Sequence, residues 1–155
     1  MKAKSNLSLF QVSEITVSYH PKFKAFERPK ITSSKDAYEI LFNNWNLNKI
    51  EMVEQAYILL LNQANNVIGM SEISSGGVAS TVVDPKVIFS TALKVNASNV
   101  ILAHNHPSGN IKPSQADLTI TRQIVEAGKF LNLFLIDHLI VTRDRFYSFG
   151  DEGLI

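Results

Sequence analysis

The sequence predicts an α/β domain, a β-sheet with helices packed against it, and two observations carry that expectation. Helical and strand-type apolar patterns alternate along the chain instead of separating into an all-helix and an all-strand half. At 155 residues and 45% hydrophobic content, the chain is long enough for one domain around one proper core.

The elements follow in order. Residues 7–19 set Phe10, Val12, Ile15 and Val17 among polar neighbours, a partly alternating pattern that predicts an edge strand. Such a strand permits a homodimer by edge pairing. His20-Pro21 follows, with His20 read as structural or exposed, and then a basic stretch of Lys22, Lys24, Arg28 and Lys30 interleaved with Phe23 and Phe26. Contact with a nucleic-acid backbone is one reading of that stretch, and a solvated linker is the favoured one. Residues 1–30 therefore form an extension, and the domain occupies residues 31–155.

Ser33-Ser34-Lys35-Asp36 opens a helix whose apolar positions are Ala37, Tyr38, Ile40, Leu41 and Trp45. Residues 57–62 and 67–73 read as strands joined by the polar turn Gln63-Ala64-Asn65-Asn66, with Ser74-Ser75-Gly76-Gly77 as a turn beyond them. Residues 85–95 predict a helix with Val87, Ile88, Ala92 and Val95 available for one buried face. Residues 99–103 form a short apolar run that reads as a buried strand, and a helix runs from Ser114 to about Lys129. Residues 130–136 and 139–141 then read as strand, followed by a turn and a last extended segment at 146–149.

The chemistry concentrates at residues 104–117. His104 and His106 stand two apart at the end of the predicted strand, so both rings project to one side. Pro107, Ser108 and Gly109 break the strand, and the loop returns the chain through Pro113 to a helix start with Ser114 at the N-cap and Asp117 three residues on. Taken alone, Ser114 and Asp117 fit a capping arrangement, and a lone histidine at a strand end would be structural. Two histidines at strand spacing, joined by a Pro/Gly loop to an acidic helix start, favour a metal site. Two imidazoles and a carboxylate leave one tetrahedral position for water, the pattern of a catalytic zinc. His138 beside Asp137 reads as a buried, hydrogen-bonded neighbour of that site, because a fourth protein ligand would close it.

These residues resemble the JAMM motif of the JAB/MPN metalloprotease superfamily, HxH followed by Ser and Asp. The fuller string, His104-Asn105-His106-Pro107-Ser108-Gly109 with Pro113-Ser114 and Asp117, is similar to the RadC-like branch. The likeness continues through residues 54–62, Ser75-Gly76-Gly77, Asp84-Pro85-Lys86 and Asp137-His138-Leu139-Ile140-Val141, covering roughly residues 31–155. At Asp84-Pro85-Lys86 the chain departs from the histidine and arginine that many members of the branch carry around the proline. Residues 1–30 do not match the helical region that full-length RadC-like proteins commonly place before the domain.

The resemblance implies an MPN/JAB-type single domain with a mixed β-sheet flanked by helices. It implies one Zn2+ per chain held by His104, His106 and Asp117, with its water polarised for attack on the amide carbonyl of a peptide or isopeptide-linked protein substrate. Glu54 matches the glutamate that takes the water's proton and passes it to the leaving amine, with Glu51 a nearby competitor. Ser114 matches the serine that helps stabilise the oxyanion.

Other classes are bounded by composition and spelling. His104-Asn105-His106 is not the separated residue set of an HNH nuclease. The absence of cysteine removes disulfides, thiolate metal sites and the zinc nucleobase deaminases. An Fe(II) oxygenase would use the same ligand types, though in a strand-dense double-sheet fold. The alternative from another class is a non-catalytic accessory module of DNA repair, DNA metabolism or mobile-element transfer. A net charge of +1 gives no global field toward nucleic acid. No apolar run is long enough to span a membrane and no signal-peptide core is present, so the expected location is the cytoplasm.

Overall fold

Strand β1 (Gln55–Leu61) is buried along its whole length. Only a strand covered on both faces needs a continuous apolar run, so its sequence already calls for helices above and below the sheet. The computed structural model describes residues 12–16, 18–77 and 81–155 and shows that arrangement. Helix α1 (Ser34–Asn44) covers one face, while α2 (Pro85–Lys94) and α3 (Gln115–Leu131) cover the other.

The sheet order is β2 (Val67–Ser75), β1, β3 (Asn99–Asn105), β4 (Phe134–Val141) and β5 (Phe146–Ser148). β1 pairs antiparallel with β2 and β3, β3 runs parallel to β4, and β5 returns antiparallel, so the sheet is mixed. Strand parity splits the core into two layers. Tyr57, Leu59, Leu61, Ile101, Ala103, Leu139 and Val141 pack with Ala37 and Leu41 of α1. Ile58, Leu60, Val100, Leu102 and Leu135 pack with Ile88, Phe89 and Ala92 of α2 and Ile124 of α3. His104 shares the parity of Val100 and Leu102 and therefore enters the α2/α3 layer.

Local chemistry sets the helix ends. Ser33 caps α1, accepting the Asp36 N–H at 3.2 Å while Asp36 Oδ2 accepts the Ser33 N–H at 3.0 Å. Asp84 caps α2 by accepting the Lys86 N–H at 2.8 Å, with Pro85 in the first turn. Asn132, left-handed at φ 49°, ends α3.

Several boundaries differ from those expected. Helix α3 takes Phe130 and Leu131 from the predicted strand, leaving Phe130 91% exposed, because the chain first meets a left-handed residue at Asn132. β4 then runs without interruption through Asp137 and His138. On α2, Phe89 is buried whereas Val87 is exposed, so the buried face is rotated relative to the expected one. Ser74 and Ser75 belong to β2, where an edge strand tolerates polar residues. Residues 12–16 and 18–20 form no strand, with Val12 and Ile15 exposed, while Phe10 and Val17 lie outside the described residues. Tyr19 instead donates its hydroxyl to the Ile68 carbonyl at 2.9 Å, and Lys30 makes an isolated bridge with Asn66. Among the described residues, no helix is long and apolar enough to cross a membrane.

Candidate metal centre

The centre lies where the C-terminal end of β3, the N-terminal end of α3 and the start of β1 meet. Strand β3 delivers His104 as a buried residue, and the chain leaves the strand at His106, anchored by a backbone bond from the His106 N–H to the Val141 carbonyl at 3.3 Å. Gly109, with φ +76°, supplies the left-handed conformation that the loop needs. Arg145 donates to the Gly109 carbonyl at 3.1 Å, tying that loop to the end of the sheet.

Three ligand atoms converge. His104 Nε2 lies 3.0 Å from His106 Nε2 and 3.2 Å from Asp117 Oδ1, and His106 Nε2 lies 3.7 Å from Asp117 Oδ2. Among the described residues these side chains form a single group of metal-ligand type, with all three atoms within 4.8 Å of one another. Tetrahedral zinc with bonds of ~2.0–2.1 Å holds its donors ~3.3 Å apart, which matches this spacing. The His106 Nδ1–H donates to the Asn110 carbonyl at 2.6 Å, so a neutral His106 turns its Nε2 lone pair inward. Lone pairs of an imidazole and a carboxylate facing one another at this range repel unless a proton or cation sits between them. The donor set therefore fits a cation that takes nitrogen and oxygen ligands.

The titration directions agree with that geometry. His106 is raised, chiefly by its hydrogen bond with Asp117 and against the effect of burial. Burial pushes the Asp117 carboxyl up, but hydrogen bonds with His104 and His106 outweigh it and hold the group well below the usual carboxylate range. Both shifts show a site that attracts positive charge.

Asp117 is held by the cap of α3. Its Oδ2 accepts the Ser114 N–H and the Ser114 hydroxyl, both at 2.7 Å, while the Asp117 N–H donates back to Ser114 Oγ at 3.1 Å. Capping and site-building are thus the same set of bonds, and Oδ1 is left facing the histidines.

Glu54 stands immediately before β1. The β1/β3 register pairs Ala56 with His104, so the residues preceding β1 lie alongside the end of the motif. Glu54 lines a cavity of about 190 Å³ with His104, Asp117, Thr81 and His138, and an adjoining cleft with His106 and Ser114. All five predicted site residues therefore border one connected space. Glu51 instead pairs with Arg143 at 2.9 Å in an exposed position, away from these walls.

Some supporting residues were not apparent in the sequence. Asn105, between the two histidines, faces the opposite side and is fully buried. Its Nδ2 donates to the carbonyls of Ile50 at 2.6 Å and Val53 at 2.9 Å, and its Oδ1 accepts the Gln55 N–H at 2.6 Å. These bonds latch the segment carrying Glu54 to the motif strand. Gly76 and Gly77 follow the end of β2 and hold Glu54 by its backbone, the Gly76 N–H donating to the Glu54 carbonyl at 2.9 Å and the Glu54 N–H to the Gly77 carbonyl at 3.3 Å. His138, by contrast, was expected as a buried, hydrogen-bonded neighbour of the site, and it is buried beside His104 with ring nitrogens 2.9 Å apart, where burial pushes its pKa well down. Thr121, one helical turn after Asp117, reaches His138 Nδ1 at 2.7 Å. The four-residue spacing from Asp117 was the available signal for Thr121.

A sequence model of the RadC-like JAB domain matches residues 31–154. The chain belongs to the RadC-like JAB domain family. A UPF0758 protein of Flavobacterium johnsoniae is 45% identical to this JAB domain over 125 residues, which cover 81% of this chain and 53% of that protein. A UPF0758 protein of Clostridium acetobutylicum is 38% identical over 134 residues, covering 86% and 57% respectively. The Escherichia coli UPF0758 protein YfjY is 45% identical over 102 residues, covering 66% and 64%. The JAB chain thus spans between about half and two thirds of these relatives, and none of their names states an activity.

Proposed function

We propose that this JAB domain is a zinc-dependent hydrolase of amide bonds, acting on peptide or isopeptide-linked protein substrates. The observation that carries this reading is the convergence of His104, His106 and Asp117 in a cleft that Glu54 also lines. A scaffold could be held by the cap and the sheet alone, with no need for a carboxylate opposite the ligand set.

His104, His106 and Asp117 would hold one zinc per chain, and zinc supplies Lewis-acid polarisation of water and of the carbonyl oxygen. Glu54 accepts the proton of the attacking water as the carbon–oxygen bond forms. It then gives that proton to the amine nitrogen as the carbon–nitrogen bond breaks, so the proton inventory closes on one side chain. The Ser114 hydroxyl donates a hydrogen bond to the oxygen that gains charge in the tetrahedral intermediate. His106 is oriented by the bond from its Nδ1–H to the Asn110 carbonyl.

The test begins with metal content by mass spectrometry on untagged, chelator-free protein. Wild type should carry about one zinc per chain, and both His104→Ala and Asp117→Ala should lose it. Glu54→Gln should retain zinc and lose about 10²–10⁴-fold in hydrolysis across a panel of peptides and isopeptide conjugates. Normal turnover in Glu54→Gln would reject the glutamate as base. Failure of wild type to take up zinc after replenishment would move the domain to the class of non-catalytic interaction modules.

A further inference from the structure

Behind the ligand set lies a chain of hydrogen bonds whose directions can be worked out from one end. It begins at the backbone carbonyl of Asp117, which can only accept. Thr121 Oγ1 lies 2.6 Å from that carbonyl oxygen, so the single hydroxyl proton is directed there. Thr121 Oγ1 also lies 2.7 Å from His138 Nδ1. Having given its proton to Asp117, the hydroxyl oxygen accepts, and His138 carries a proton on Nδ1. The His138 ring is buried and stacked on Phe149, with centroids 4.4 Å apart. Among the described residues no carboxylate oxygen bonds either ring nitrogen, so a buried imidazolium would be left uncompensated and the ring is neutral. Its Nε2 is therefore a lone pair, and it lies 2.9 Å from His104 Nδ1. The last bond must be donated by His104.

We propose that Thr121 and His138 are positioning residues of the metal centre, forming a relay from the Asp117 carbonyl that fixes the His104 proton on Nδ1 and presents its Nε2 lone pair to zinc. The inference rests on the zinc reading for its consequence, but the direction of the bonds stands on the protein alone. His104 Nε2 is the atom that faces His106 and Asp117 Oδ1. In the other tautomer, the His104 proton would point into the ligand set and the ring could not bind a metal there. Metal-bound histidines generally give their second N–H to a carboxylate, carbonyl or water. His106 does so through Asn110, whereas His104 gives its proton to a neutral imidazole. The relay starts and ends on the ligand set, since Asp117 supplies both the carboxylate and the carbonyl that directs the relay. A shift of α3 would disturb ligand position and ligand tautomer together.

Two measurements test this. Long-range proton–nitrogen spectra of nitrogen-15-labelled, metal-free protein read the imidazole tautomers directly, and His138 should carry its proton on Nδ1. A proton on His138 Nε2 would overturn the relay, because that ring would then donate to His104. Zinc affinity by chelator competition supplies the second readout. Thr121→Val removes the hydroxyl with little change of shape and should weaken zinc about 10–100-fold, the usual effect of losing a partner behind a ligand. Thr121→Ser should restore most of the loss. Unchanged affinity in folded Thr121→Val, or a loss that Thr121→Ser does not recover, would overturn the proposal in favour of a packing role. Should Thr121→Val fail to fold, the wild-type His138 tautomer decides alone. Wild type that takes no zinc would overturn the hydrolase reading, while the same tautomer still decides the relay.

Discussion

A single oxygen, Ser114 Oγ, serves the helix and is available to the reaction. It accepts the Asp117 N–H at 3.1 Å as the cap of α3, and its own proton goes to Asp117 Oδ2. Because the Ser114 backbone N–H also holds Oδ2 at 2.7 Å, the hydroxyl proton can turn toward a substrate oxygen without moving Oγ or releasing Asp117. Ser114→Ala should therefore keep stoichiometric zinc and lose about 10²-fold in kcat, the usual effect of removing one oxyanion donor. It should also lose about 1 kcal/mol of stability with the cap. Metal content measured beside steady-state kinetics checks this, and loss of zinc in step with kcat would make Ser114 an anchor for the ligand instead. At this scale much of the site was legible in the sequence. Ligand types and spacing are local properties of residues 104–117, so His104, His106, Ser114 and Asp117 could be read together. His138 could be read as a buried neighbour of the site, but Thr121 could not, because its bond to His138 crosses from α3 to β4, a contact that no local pattern encodes.

Between elements, Asn105 does what the two histidines beside it cannot. Strand alternation sends its side chain to the opposite face, where it holds Ile50, Val53 and Gln55. Asn105→Ala leaves one buried carbonyl, one part-buried carbonyl and one N–H without their partner, and each buried group so left costs about 1–3 kcal/mol. We expect destabilisation of about 2–5 kcal/mol by denaturant unfolding, with zinc still bound and turnover reduced because Glu54 is no longer fixed across from the ligands. Full turnover in a folded Asn105→Ala protein would show that Glu54 is positioned by β1 and the Gly76 bond alone. The helices and strands were largely legible because β1, β3 and the helix caps carry strong local signals. The exceptions have specific causes. The apolar run after Lys129 suits either helix or strand, and only the left-handed Asn132 divides it. The alternation around Val12 and Ile15 does not make a strand in the described residues, and both side chains stand in solvent.

Across the whole molecule, the ligand set joins a strand from the centre of the sheet to a helix lying on its face. His104 belongs to β3, whereas Asp117 belongs to α3 and reaches His104 across the loop of residues 106–114. Zinc would fasten these elements in the folded chain only, so binding and folding are linked. At a free zinc concentration ~100-fold above Kd, the linkage contributes about 2.7 kcal/mol. For a chain of this size that corresponds to a rise in Tm of about 5–10 °C. Thermal scans with zinc and with a chelator check it, and His104→Ala should show no shift. The increment should also depend on pH with a fixed sign. The hydrogen bond with Asp117 raises the pKa of His106, so the metal-free site retains a proton that zinc must displace. As pH falls through that raised pKa, zinc competes less well and the Tm increment shrinks; as pH rises above it, the increment levels off. A zinc-dependent Tm shift that grows on acidification would contradict a ligand set containing neutral His106.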